Sequence, residues 1–286
     1  MTSAIQSRGG GLDGPAGEPG IAPIVAQIAE ADARRRLRFR AMFAATWVVI
    51  IGGLILALAS GGTIKVEFLA KGPPWWQFIL GGAWATIAMS LSAIVLAVVL
   101  ALLGALGRLS TSAPIYAVAS LYVSLVRGTP LLVQILFIWL ALPQIWKGFG
   151  AIDAMIMGAF ALAFNYGAYM TEIFRAGIQA VPRGQREAAA ALGMSQRRIM
   201  GKIVLPQAFR IVIPAIGNEF IAMIKDSSLL AVIGVQELLW RARTVGSQNF
   251  RMLETLVLAA LVYWALTIIF SFFQERLERR MARSDR

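Results

Sequence analysis

Apolar positions along the chain gather into long uncharged runs, and short charged segments separate them. The longest run, residues 78–107, holds no charged residue in 30 positions. A helix rises 1.5 Å per residue, so such a run exceeds the ~30 Å hydrocarbon core of a bilayer. The runs that could span a membrane are residues 42–60, 78–107, 113–145, 155–170, 211–235 and 256–273. The pattern therefore predicts an all-α, polytopic membrane helical bundle with about six transmembrane helices.

The third predicted span contains a break. Its two apolar halves are separated by Arg127-Gly128-Thr129-Pro130. Proline has no amide hydrogen and its ring clashes with the preceding helical turn. We therefore expect residues 113–145 to form one bent or broken span.

The N-terminal segment differs from the rest of the chain. Residues 1–20 are rich in glycine and nearly free of apolar side chains, which favours disorder. Residues 21–33 favour a weak helix, and five arginines follow at positions 34–40. We interpret residues 1–40 as a disordered basic tail and residues 41–60 as an extra transmembrane helix. Cleavage as a signal peptide is an alternative, but the leader is longer than usual for one.

Composition supports a membrane protein and removes most enzyme classes. The chain is 58% hydrophobic and 15% charged, and it contains neither cysteine nor histidine. This excludes disulfides, thiol nucleophiles, cysteine zinc sites and histidine-based catalytic triads. We predict no catalytic residue, no metal and no cofactor.

The basic residues predict an orientation. The net charge is +12, and most lysines and arginines fall before the first span, after the second, between residues 171 and 210, and after residue 275. The positive-inside rule then places both termini in the cytoplasm. The charge is thus explained by cytoplasmic loops and does not require nucleic acid as a partner.

The longest cytoplasmic loop, residues 180–206, reads as two short helices with a corner between them. Residues 185–192 are all strong helix formers, and Gly193 can adopt the left-handed conformation that ends a helix. Ser195 can cap the second helix, and Pro206 is expected to stop it. Ala188 and Ala191 share a face that another backbone can approach closely. By itself the pattern also fits a basic hairpin lying on lipid headgroups.

The spacing of this loop resembles the EAA loop of ABC-importer permeases. The matching positions are Glu187, Ala188, Ala189, Gly193, Ile203, Leu205 and Pro206. The resemblance implies that these residues form the ATPase-coupling loop, inside a type I importer transmembrane domain over residues 79–274. That domain is a five-helix core, which leaves residues 1–60 unexplained, and residues 275–286 form a charged cytoplasmic C-terminus.

Flanking segments resemble the polar amino acid branch of that family, which serves histidine, glutamine, arginine and opines. They are Arg127-Gly-Thr-Pro-Leu-Leu-Val-Gln134, Gly167-Ala-Tyr-Met-Thr-Glu172, Arg175 with Gly177-Ile178, Asn218-Glu-Phe-Ile221 and Lys225-Asp-Ser-Ser-Leu-Leu230. The resemblance implies a multi-pass protein of the bacterial inner membrane that imports a polar amino acid. The implied partners are two ATP-binding-cassette ATPase subunits, a second permease (itself or a sister chain) and an extracytoplasmic solute-binding protein.

The chain itself offers no phosphate-binding loop. Its only Gly-Lys pair, Gly201-Lys202, is followed by Ile203 and not by serine or threonine. A separate ATPase subunit would therefore supply the energy.

Ionisable residues within spans are costly, and their default interpretation is functional or paired. Glu219, Lys225 and Asp226 lie in or near the fifth span, and Asn165 and Tyr166 lie in the fourth. We predict that these five residues belong to the translocation pathway, with a structural charge network as the alternative.

Two further readings remain open at this point. The cargo could be an opine or an ectoine-like solute. In a different class, the chain could be an ion-coupled secondary transporter that uses Glu219, Lys225 and Asp226 as its coupling site.

Glu172 and Arg175 are three residues apart and are expected to form a local ion pair.

Overall fold

A computed structural model describes residues 21–60, residue 68 and residues 75–283. Within these residues every regular element is helical and none is a strand, so the predicted all-α class is confirmed. The chain divides into two compact units, Met1–Ile64 and Lys65–Arg286, which are treated separately.

Among its described residues, the first unit contains one helix, α1, over Ile21–Ser60. Its 40 residues correspond to about 60 Å of helix. The helix predicted over residues 21–33 and the span predicted over residues 42–60 are thus parts of one continuous element. The structure differs from the sequence interpretation here, because residues 21–40 were assigned to the tail. Their arginines and alanines are strong helix formers, and Pro23 lies in the first turn, where it is tolerated. The predicted disorder of residues 1–20 lies outside the described residues.

The second unit contains nine helices among the described residues. In chain order they are α2 (Trp75–Arg108), α3 (Ala113–Arg127), α4 (Leu131–Ile145), α5 (Ala154–Ala180), α6 (Arg183–Ala191), α7 (Gln196–Ile199), α8 (Leu205–Asp226), α9 (Leu238–Asn249) and α10 (Met252–Arg283). A π-helical turn at Phe137–Ala141 interrupts α4, and another at Met200–Val204 joins α7 to α8. Short 3₁₀ helices occupy Lys147–Ala151 and Ser227–Ile233.

Three helical segments of the described residues are long and apolar enough to cross a membrane. They are α2, the continuous segment Gln196–Ile233, and Met252–Met281 within α10. The pair α3 and α4 would add a fourth span, bent by 109° at its break. The break predicted at Pro130 is therefore confirmed. The other two predicted spans lie in α1 and in α5, a 27-residue helix with Asn165 and Tyr166 in its apolar stretch, and as spans they remain predictions.

Small residues bring α2 and α5 close together in the core. Ala93, Ala97, Ala101 and Ala105 of α2 are four apart and at most 2% exposed, so they form one ridge of the helix. A side chain at Gly104 would overlap Thr171 of α5. Helices in membranes pack through such small residues, because lipid supplies no hydrophobic force between them. This pair of helices holds the α5 side chains in fixed positions.

The corner between α3 and α4 is held by the side chain of Gln134. Its amide nitrogen donates to the carbonyl oxygens of Val126 at 2.7 Å and Thr129 at 3.1 Å, and to the Thr129 hydroxyl at 2.8 Å. Carbonyls at a helix end have no partner within the helix. Gln134 therefore satisfies the groups that the break at Pro130 exposes.

Pro206 does not stop the second helix of the loop, and that prediction was wrong. The chain is helical from Gln196 to Asp226, and Pro206 lies in the first turn of α8. The π-turn at Met200–Val204 explains the continuity, because Leu205 donates its N–H to Met200, five residues back. A π-turn opens the local backbone, which relieves the clash between a proline ring and the preceding turn.

Candidate functional site

The corner after α6 is a Schellman motif, a compact left-handed helix end. Gly193 has φ +78°, its N–H donates to Ala190 at 2.9 Å, and the N–H of Met194 donates to Ala189 at 3.1 Å. These two bonds satisfy carbonyls at the end of α6. The left-handed conformation predicted for Gly193 is confirmed. Ser195 occupies the N-cap of α7 as expected, but its side chain makes no capping hydrogen bond.

One face of α6 is anchored to the second unit. Ala189 is 4% exposed and packs in a cluster with Ile178, Val181 and Ile199. Arg186 donates to the carbonyl oxygen of Ile178. The contacts fix the direction in which α6 points.

The opposite face of α6 is open. Glu187, Ala188, Ala191 and Leu192 are exposed, and Leu192 is 84% exposed. This face therefore presents one large apolar side chain beside two alanines. The sequence pattern predicted that Ala188 and Ala191 lie on a face open to another backbone. It did not single out Leu192, whose only signal was its place directly before Gly193.

The seven residues of the predicted coupling loop fall into two groups. Glu187, Ala188, Gly193 and Pro206 are exposed, whereas Ala189 is buried and Ile203 and Leu205 are half-buried. Ile203 packs against the cluster that holds Ala189. The exposed group can contact a partner, and the second group supports the shape of the loop.

The structure connects the polar residues of α5 to two different partners. Asn165 donates to the side-chain oxygen of Gln134 at 3.0 Å, which ties α5 to the corner before α4. Tyr166 donates its hydroxyl hydrogen to Asp226 at 2.8 Å, which ties α5 to the end of α8. Asn165 and Tyr166 are 6% and 4% exposed. Gln134 was part of a quoted motif but was not predicted as a site residue.

Two of the other pathway residues share a face of α8. Glu219 precedes Asp226 by seven residues, which is two helical turns, so both carboxyl groups lie on the same side. Both are half-buried, whereas Lys225 is exposed. The structure thus groups Tyr166, Glu219 and Asp226 and does not place Lys225 on their face.

Glu172 joins three helices at the α6 end of α5. Its carboxylate contacts Arg175 at 2.6 Å and Arg108 of α2 at 3.3 Å. Arg108 also donates to Ser120 of α3 at 2.6 Å. The hydrogen bond from Arg175 holds the pKa of Glu172, which lies beyond the predicted span 155–170, below its ordinary value. The expected ion pair with Arg175 is confirmed, and it extends to Arg108.

A cavity of about 580 Å³ opens beside the α3–α4 corner. Its lining includes Phe137, Trp146, Phe160 and Phe164, and Gln134 contributes a polar group. The lining contains no charged side chain. An amino acid's ammonium and carboxylate would find no charged partner there, whereas the carboxyl groups of Glu219 and Asp226 can pair with an ammonium group.

Comparison with known proteins agrees with this architecture. The chain is 39% identical over 228 residues to the L-cystine transport system permease protein TcyB of Bacillus subtilis (strain 168), covering 79% of this chain and 95% of that protein. It is 37% identical over 212 residues to the arginine transport system permease protein ArtQ of the same organism, covering 74% and 96%. A crystal structure of an amino acid ABC transporter with histidines superposes with a TM-score of 0.71 and 39% identity, over 76% of this chain and 99% of that one.

The family assignment rests on a match to a family profile. The sequence profile of the binding-protein-dependent transport system inner membrane component matches residues 97–283, which is more than half of the chain. The matched residues include α6, the Schellman corner and the polar residues of α5 and α8. The resemblance seen in the sequence is therefore confirmed, and the chain belongs to the family of binding-protein-dependent transport system inner membrane components.

Proposed function

We propose that this chain is the permease subunit of an ATP-driven importer for a polar amino acid, and that it couples to a separate ATPase through α6. The observation that carries the proposal is the exposed face of α6 held at a rigid corner. The names of the relatives, which transport cystine or arginine, support an amino acid as the substrate. The assembly would contain two ATPase subunits, a second permease and an extracytoplasmic binding protein. It would lie in the bacterial inner membrane with α6 in the cytoplasm.

The shape and chemistry of α6 support docking into another protein. Ala188 and Ala191 allow a partner's backbone to approach, and Leu192 offers an apolar anchor. Ala189 and Arg186 tie α6 to the rest of its domain. A displacement of α6 by the ATPase would therefore move the helix together with that domain.

The buried polar groups support a pathway along α5 and α8. A carboxylate of Asp226 or Glu219 can accept hydrogen bonds from a substrate ammonium group. Asn165 and Gln134 carry amides, which can donate to a carboxylate or accept from an ammonium. Such groups are costly inside a membrane unless they are paired or face a water-filled passage.

The coupling proposal is tested at Gly193. Replacing it with valine places a β-branched residue at φ +78°, a conformation that costs an L-residue about 1–2 kcal/mol and more when it is branched. We expect Gly193→Val to insert into the membrane but to lose most ATPase association and uptake. The measurements are co-purification of the ATPase in mild detergent and uptake in proteoliposomes.

Two variants control for the size of the new side chain. Gly201→Val makes the same change at an exposed glycine with open space around it and no left-handed backbone, and it should retain association. Gly193→Asn should recover much of it, because asparagine tolerates the left-handed region. Normal uptake by Gly193→Val, or transport by the permease alone on an ion gradient, would contradict the proposal.

A further inference from the structure

The α1 helix carries a concentrated basic segment that the family does not account for. Arg34, Arg35, Arg36, Arg38 and Arg40 place five guanidinium groups within seven residues. All five are exposed, and the uncharged run of residues 42–60 follows at once. The family profile begins at residue 97, so this segment lies outside the residues that the profile matches.

Arginines and aromatic rings line one side of this helix. Phe39, Phe43 and Trp47 are four residues apart, and the neighbouring ring centroids are 6.3 and 6.2 Å from each other. Arg36 and Arg40 have the same spacing and lie on the adjoining strip of the surface. The rings therefore continue from the arginines towards the uncharged run.

A shallow groove of about 350 Å³ lies at the N-terminal end of this strip. It is lined by Asp32, Arg35, Arg36, Phe39 and Arg40. Three guanidinium groups therefore face one carboxylate, and the groove has an excess of positive charge. Guanidinium groups one turn apart repel each other, and an anion between them removes that repulsion.

The chemistry of the strip matches a lipid that has a charged head and apolar tails. Guanidinium binds phosphate through two parallel hydrogen bonds, which an ammonium cannot do. Phenylalanine and tryptophan rings at 46–66% exposure give acyl chains an apolar surface, and tryptophan favours the membrane–water interface. Clusters of basic residues next to a membrane span attract anionic lipids.

We propose that Arg35, Arg36 and Arg40, together with Phe39, Phe43 and Trp47, form a binding site for an anionic phospholipid. The guanidinium groups hold the phosphate, and the acyl chains lie along the three rings. The site belongs to the first unit alone, and it stands independently of the transport function.

Native mass spectrometry of the delipidated full-length chain tests the site. Dioleoyl phosphatidylglycerol should bind at least tenfold more tightly than dioleoyl phosphatidylcholine. The triple variant Arg35→Gln/Arg36→Gln/Arg40→Gln should lose about 100-fold in phosphatidylglycerol affinity, at the usual contribution of a basic residue near anionic lipid. The corresponding lysine variant keeps the charge and the membrane orientation. Its affinity for phosphatidylglycerol should lie between those of the wild type and the glutamine variant, because lysine cannot make the two parallel hydrogen bonds.

A matched control removes the same charge elsewhere. Arg276→Gln/Arg279→Gln/Arg280→Gln lies in an exposed stretch of α10 and should leave the lipid preference unchanged. Equal binding of the two lipids by the wild type, or an unchanged preference in the Arg35, Arg36 and Arg40 glutamine variant, would overturn the proposal. Displacement of the lipid by millimolar inorganic phosphate would also overturn it, because it would indicate a simple anion site.

Discussion

At the scale of single residues, Tyr166 and Asp226 illustrate what a sequence can and cannot give. Both stood out because polar groups interrupt apolar runs, and that reasoning needs no structure. Their hydrogen bond of 2.8 Å joins residues 60 positions apart, and nothing in either local pattern indicates the pairing. Gln134 was overlooked for the same reason, since its role depends on carbonyls that only the bent backbone exposes.

Replacing Tyr166 with phenylalanine removes the donor to Asp226 and keeps the ring. A half-buried carboxylate that loses its partner is left to bind something else, such as water or substrate. We expect Tyr166→Phe to change the KM for uptake several-fold while ATPase association stays normal. Uptake kinetics in proteoliposomes, with co-purification in parallel, measure both.

Tyr169→Phe is the matched control for that change. Tyr169 is 38% exposed, and its ring, which the substitution keeps, lies 5.3 Å from the guanidinium of Arg127. It should transport like the wild type. If Tyr166→Phe has unchanged kinetics and only a lower melting temperature, the hydrogen bond is structural and is not part of the pathway.

At the scale of elements, the helices could be predicted from the sequence, but the breaks between them could be predicted only in part. Gly193 and Pro130 mark breaks by intrinsic backbone preferences, so both could be placed in advance. Pro206 carries the same kind of signal, yet the chain continues through it because of the π-turn at Met200–Val204. A π-turn rearranges hydrogen bonds without requiring a particular residue, and it therefore leaves little trace in a sequence.

The contact between α8 and α10 depends on a glycine in α8. Gln274 of α10 is 8% exposed and donates to the carbonyl oxygen of Pro214 at 2.6 Å. A methyl group at Gly217 would overlap the amide of Gln274. Glycine at this position thus admits a hydrogen bond between two helices.

Gly217→Ala should displace Gln274 and break that bond. Leaving buried polar groups unpaired costs about 1–3 kcal/mol, and the better helix propensity of alanine offsets up to about 1 kcal/mol. We expect a lower melting temperature in detergent. Combined with Gln274→Ala, the change should cost less than the two single variants added together, because the clash is then absent.

Gly201→Ala provides the comparison, because an added methyl group there meets open space. It should be neutral or slightly stabilising. Additive effects of Gly217→Ala and Gln274→Ala would contradict the proposed contact.

At the scale of the whole molecule, every residue matched by the family lies in the second unit. The profile covers residues 97–283, whereas the first unit ends at Ile64. The extra N-terminal helix could be anticipated from the composition, whereas a five-helix core was implied only by the resemblance to the family and remains a prediction. The orientation of the termini remains a prediction, since charge counts in loops are its only support.

A chain that begins at Lys65 should keep the importer functions. We expect it to associate with the ATPase and to take up substrate within about twofold of the full-length rate, because α6 and the α5–α8 groups are intact. It should also lose the preference for phosphatidylglycerol. Loss of ATPase association in this chain, at normal membrane insertion, would show that the first unit contributes to assembly.

If α6 docks on the ATPase as proposed, the helical segment from Gln196 to Asp226 would connect that docking helix to the proposed pathway. It runs from the corner at Gly193 to the carboxylate bonded by Tyr166, a length of roughly 45 Å. The segment can bend at two points, the π-turn at Met200–Val204 and Pro214, so a displacement at one end would reach the other as a combination of translation and bending. A 2.8 Å hydrogen bond does not survive such a movement. The Tyr166–Asp226 distance would then report the ATPase state from the far end of this segment.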